Sequence, residues 1–146
     1  MDIAVVGSTA STLCKITNVG AKAFRALSEL PPGGWDILAL TQMRAAAAGS
    51  LYAHSLLLPG SSDPALAKRI YALQIISYGL SPRDTLTLSS FSGSERMICL
   101  QRSLLTVHGG LLEPQELPLP PALSGLCEES ALLAAGVCLL SLGKAG

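Results

Sequence analysis

The run Ile3-Ala4-Val5-Val6-Gly7-Ser8-Thr9-Ala10-Ser11-Thr12 joins an apolar stretch to a glycine and a cluster of hydroxyl side chains. It reads as a buried strand entering a tight turn at the start of a helix. Nucleotide-binding α/β domains carry their phosphate loop there, because free backbone N–H groups and hydroxyls at a helix start attract negative charge. A triphosphate loop also needs a glycine and a lysine, and Ala10 and Ser11 occupy those places. The same serines and threonines would equally serve as a cap for the helix's own unpaired amides. A second candidate is Ser81-Pro82-Arg83-Asp84, which follows an expected strand. Ligands of open α/β sheets sit at the carboxyl ends of strands, where Arg83 would hold a carboxylate or phosphate. The competing reading is a polar turn in which Asp84 bonds nearby backbone. The candidate ligand-binding set is therefore Gly7, Ser8, Thr9, Ser11, Thr12 and Arg83, with no catalytic residue, no metal ligand and no cofactor assigned.

Other reactive side chains form no pattern. Lys15 follows Thr12 by three positions and fits either helix face. His54 and His108 have no acidic or nucleophilic neighbour at a telling spacing. Cys14, Cys99, Cys127 and Cys138 are far apart, with no Cys-x-x-Cys pair, so they read as reduced core residues rather than metal ligands.

Elements that would position the loop follow from hydrophobic spacing. Val19, Ala23, Ala26, Leu27 and Leu30 recur at three- and four-residue intervals, which predicts a helix over 18–30 ended by Pro31-Pro32-Gly33-Gly34. Strands are expected over 35–40, 55–58 and 74–78, with helix-forming segments at 44–48 and from Pro64, where Ser62-Asp63 supply a cap. Strands alternating with helices imply parallel pairing through crossovers. Beyond residue 84 the pattern changes to polar-apolar alternation over 85–89 and parts of 97–107, with His108-Gly109-Gly110 as a tight turn before Leu111-Leu112. Antiparallel hairpins fit this part. Residues 113–121 carry prolines at 114, 118, 120 and 121 and suit only an edge or a connection. Glu128 and Glu129 suit the positive end of a helix over 131–142, which is apolar on nearly every face and closed by Gly143. Such a helix must be buried in a core or an interface. The expected fold is α/β: a Rossmann-like three-layer arrangement with a mainly parallel sheet, then antiparallel hairpins and a buried C-terminal helix, in one domain spanning 1–146.

Composition narrows the partners. The 146 residues carry ten basic and ten acidic side chains, a formal net charge of zero, which removes the basic footprint of nucleic-acid binding. Charged residues make up 14% of the chain, against about 25% in ordinary soluble domains, so part of the surface is expected to be apolar. A homodimer accounts for that surface, with the hairpin region, its proline-rich edge and the 131–142 helix as expected contributors. No uninterrupted apolar run reaches the roughly 18 residues that a membrane span needs. No basic residue precedes the first apolar stretch, as a secretory signal would require, and a cytoplasmic location is expected.

Three landmarks resemble the central ATP-binding domain of the Mur ligases. The stretch from Ile3 to Thr12 is similar to that family's opening strand and Gly-Thr-x-Gly-Lys-Thr loop; Ile75-Ile76-Ser77-Tyr78-Gly79-Leu80 is similar to its strand ending in Tyr-Gly. The third is Ala131-Leu132-Leu133-Ala134-Ala135, closed by Leu142-Gly143, which is similar to the Asn-Ala-Leu-Ala-Ala helix ending in Leu-Gly. Only Gly7 and Thr12 carry over to the loop, since the family's lysine is Ser11 here and its loop glycine is Ala10. About seventy residues precede Tyr78, too few for the family's metal-binding segments. The resemblance thus implies a shortened, inactive relative. The function expected from the sequence is a non-catalytic accessory or interaction module; the alternative is a small-ligand or nucleotide binder that uses the loop after the first strand.

Overall fold

In the computed structural model, residues 1–41, 51–62, 70–90 and 96–144 are described. Strand β1 (Ile3–Val6) is buried along its whole length, and the chain turns at Gly7 into helix α1 (Ala10–Thr17). Asn18, with φ of 50°, closes α1 in the left-handed conformation, and Gly20 with φ of 78° turns the chain again. Two such turns stop the helix expected over 18–30. The segment forms instead a short strand β2 (Lys22–Phe24) and a 3-10 turn (Leu27–Glu29), so the three- and four-residue spacing of its apolar side chains serves two separate contacts.

Strands β3 (Gly33–Leu40), β4 (Leu51–Pro59) and β5 (Ile70–Tyr78) follow, each longer than the apolar core that betrays it in the sequence. The expected helical segments at 44–48 and from Pro64 fall outside the described residues. Then come β6 (Leu86–Ser90), β7 (Arg96–Leu100), the small hairpin β8 (Leu104–Leu105) and β9 (Leu111–Leu112), and β10 (Gln115–Pro118). The sheet order is β10-β7-β6-β5-β4-β3-β1-β2, parallel from β2 to β6 and antiparallel from β6 through β7 to β10. The α/β class, the mainly parallel sheet and the antiparallel second half are those expected. The proline-bearing β10 lies at the sheet's edge, where a missing N–H costs no ladder bond.

Helix α2 (Glu128–Leu142) is the centre of the larger core. Every residue from Ala131 to Ser141 is buried, and it packs with α1 on the face bearing Ile3, Val5, Ile37, Ala39, Leu57, Ile76, Leu86 and Ile98. A β-carbon on Gly136 would lie 2.8 Å from Leu57 Cδ2, so this glycine lets the helix approach the sheet closely. The helix is therefore covered by its own chain, which removes it from the expected interface. Gly143, φ 76°, ends it as expected. Among the described residues no helix is long and apolar enough to cross a membrane.

Candidate functional site

The parallel strand order reverses beside β1. The chain leaves β1 through α1 to β2 on one side and returns to β3 on the other, so the carboxyl ends of β1 and β3 mark the switch point where open α/β sheets leave a crevice. Gly7 stands there. Its N–H donates to Phe24 O at 2.8 Å at the end of β2, while Thr41 donates to Val6 O through both its N–H and its hydroxyl, each at 2.9 Å. The turn is thus pinned to both neighbouring strands. Gly7 has φ of 141°, a backbone conformation that side chains disfavour.

Two clefts flank the turn. The first, about 180 Å³, is lined by Ser8, Thr9, Thr41, Tyr78, Cys127, Glu129, Ser130 and Leu133. It brings the turn after β1 against the start of α2. Tyr78 is buried at the end of β5 and donates its hydroxyl to Leu40 O at 2.6 Å, a bond that fixes the crevice floor. Burial, with the nearby Glu129 charge second, raises the Tyr78 pKa far above the ordinary phenol range. The second cleft, about 310 Å³, lies between the ends of β1 and β2 and is lined by Gly7, Ala10, Ser11, Ala23, Phe24, Arg25 and Glu29. Glu29 Oε2 accepts the Arg25 N–H at 2.8 Å, which places a guanidinium and a carboxylate on one short segment.

Most of the residues expected at the site are gathered at this turn. Ser8 and Thr9 face the first cleft, Gly7 and Ser11 the second, and Thr12 is exposed on the first turn of α1. Thr9 is the N-cap of α1 but makes no side-chain capping bond. The Ala10 N–H donates to Gly7 O and the Leu13 N–H to Thr9 O, which leaves the Ser11 and Thr12 amides without a backbone acceptor among the described residues. Capping by the turn's own hydroxyls, the competing reading of these residues, is absent at Thr9. Lys15 is exposed and lines neither cleft.

Arg83 lies apart. It is exposed, its N–H donates to Ser81 Oγ at 3.2 Å and its carbonyl accepts from Arg102 Nη1 at 2.7 Å. Its neighbour Asp84 is buried, accepts the Ser81 N–H at 3.1 Å and rests against Gly60 and Gly79, whose β-carbons would come within 1.8 and 2.5 Å of its carboxylate oxygens. This loop ties the ends of β4 and β5 together, as the polar-turn reading of the sequence expects for Asp84.

Cys127 is the residue that sequence reasoning missed. The four cysteines read as core residues, yet only Cys138 is buried, Cys14 and Cys99 are half-buried, and Cys127 is exposed at the first cleft as the N-cap of α2. Its Sγ lies 3.2 Å from Ser130 Oγ. The Ser130 hydroxyl, then the Ser130 amide, hold the thiol below its ordinary pKa, against burial and the Glu129 charge. Burial pushes Cys14 and Cys138 the other way. The only signal in the sequence was position: Cys127 directly precedes Glu128-Glu129, the acidic pair that marks the helix start. His54, 2.8 Å from Ser55 Oγ, and His108, in the β8–β9 turn, are outside both cleft linings. Among the described residues no three His, Cys, Asp or Glu side chains are grouped to hold a metal. No family model, no curated protein and no solved structure matches the chain.

Proposed function

We propose that the protein binds a small phosphate-bearing ligand across the Gly7 turn, with a ribonucleotide as the class that suits both flanking clefts. The observation that carries this reading is the state of the turn itself: it lies at the strand-order reversal, and its Ser11 and Thr12 amides are unclaimed at a helix start. A phosphate there would accept from those amides and from the exposed hydroxyls of Ser8, Thr9, Ser11 and Thr12. Arg25 adds the positive charge that the missing loop lysine would have supplied, and Glu29 Oε1 offers an acceptor for a sugar hydroxyl. Cys127, Glu129 and Ser130 in the first cleft suit a neutral polar group, because the formal charge there is negative.

A thermal-shift series with ADP, inorganic pyrophosphate and a phosphosugar tests the reading. A ligand present at 100 times its dissociation constant stabilises the native state by about 2.7 kcal/mol. A rise in melting temperature with ADP that is lost in Arg25→Ala supports it. No shift with any of the three refutes it.

The second reading is a non-catalytic interaction module that assembles as a homodimer. It is favoured by a different observation, the row of exposed apolar side chains Tyr71, Leu73 and Ile75 on β5. Light scattering decides it: a mass of 15.0 kDa at all concentrations excludes self-association.

A further inference from the structure

Strand β5 is paired along its length with β4, from Leu51↔Ile70 to Pro59↔Tyr78. On its other side β6 meets it at one pair alone, Tyr78↔Leu86, because the Asp84 loop starts β6 only where β5 ends. From Ile70 to Ser77 the second edge of β5 therefore presents backbone donors and acceptors that no strand among the described residues takes up. Unpaired edges invite another strand, and proteins ordinarily block them with charge, proline or brevity. The two outer edges of this sheet are blocked in those ways. Strand β2 is three residues long and carries Lys22; β10 carries Glu116 and Pro118. The segment Ile70–Tyr78, IYALQIISY, has neither a charge nor a proline.

Exposed side chains accompany this open edge. Leu73 is 80% exposed, Tyr71 75% and Ile75 49%, and none of the three carries a charge. Tyr52, opposite Tyr71 on β4, is 54% exposed and its ring centroid lies 6.1 Å from that of Tyr71. The remaining side chains of β5 are engaged: Ile76 and Tyr78 enter the core around α2, Ile70 and Ala72 pack in the second core with Leu51 and Ala53, and Gln74 bonds both Ser55 Oγ and the Leu105 backbone.

We infer that β5 is the subunit interface of a homodimer, in which two copies of this edge pair antiparallel about a two-fold axis at Leu73. The occupant is a second copy rather than another protein because the segment is complementary to itself. A two-fold at Leu73 sets Leu73 against the partner's Leu73, brings two edges free of charge and proline together, and closes the open ladder. A chain of zero net charge also brings no repulsion to the pairing. This inference does not depend on the ligand site, since no residue of the open stretch 70–77 lines either cleft beside the Gly7 turn.

Light scattering of the intact protein at micromolar concentration is expected to give twice the 15.0 kDa chain mass, and Leu73→Lys with Ile75→Lys is expected to give the single-chain mass with an unchanged circular dichroism spectrum. A second variant locates the axis independently of any loss of folding. Leu73→Cys in a Cys127→Ser background should form an intermolecular disulfide on mild oxidation at least tenfold faster than Leu111→Cys in the same background. A single-chain mass for the unaltered protein overturns the inference, and so does a double-lysine variant that remains a dimer. Equal cross-linking at positions 73 and 111 overturns the placement of the axis at Leu73.

Discussion

A β-carbon on Gly7 would fall 1.4 Å from Thr41 Oγ1, and that hydroxyl is already committed to Val6 O at 2.9 Å. The turn after β1 is thus built around an absence of side chain. Gly7→Ala must displace Thr41 and also hold alanine at φ 141°. Backbone strain of this kind costs about 1–3 kcal/mol and overpacking a further 1–3 kcal/mol, so a loss of roughly 2–6 kcal/mol is expected in urea unfolding. Thr41→Gly in the same chain should return part of it. An unchanged midpoint for Gly7→Ala would contradict the described turn.

Cys127 should be the first thiol alkylated by iodoacetamide, since it alone is both exposed and held below its ordinary pKa. Ser130→Ala removes the largest cause of that depression and should move the pH profile of the reaction upward. The sign for stability follows: a thiolate favoured in the folded state contributes stability above the unfolded thiol pKa, and that contribution disappears as pH falls through the folded value. Ser130→Ala should therefore cost more stability at alkaline than at neutral pH. An identical pH profile in the variant would contradict the assignment.

Leu133 and Leu140 are both fully buried in α2. Either one changed to aspartate leaves an unpaired charge in the core, with an expected loss on the order of 4 kcal/mol or more, enough to unfold the chain at room temperature. Leu73→Asp, on the exposed face of β5, should change monomer stability by less than about 0.5 kcal/mol. Circular dichroism melts of the three variants check the contrast.

ATP hydrolysis is expected to be undetectable, and Ser11→Lys alone should not create it. A lysine restores one phosphate contact but supplies no metal ligand and no base, and catalysis of phosphoryl transfer depends on the metal and the positioned nucleophile together. Magnesium-dependent turnover by the unaltered protein would refute this.

Much of the frame is legible in the residues, because β1 and the second halves of β3 and β4 are buried on both faces and so read as plain apolar runs, and α2 is apolar on nearly every side. The helix expected over 18–30 shows the limit. Its apolar spacing is genuine, but Asn18 and Gly20 bend the chain, and the left-handed turn at Asn18 leaves no periodic trace. Strand β2, three residues long and exposed in two of them, carries no alternation to read. The turn at Gly7 was visible as a candidate because its residue types are local. Arg25, Glu29 and Cys127 were not, since what brings them to the turn is strand order and the packing of α2, which are properties of the whole sheet.

Residue-resolved titration of the ¹⁵N-labelled protein with ADP tests the central claim most directly. Saturable shifts of the Gly7, Ser8, Thr9, Ser11 and Thr12 amides together with Arg25 are expected, and none at Arg83. An unchanged spectrum at millimolar ADP, or shifts confined to residues away from the turn, would contradict it.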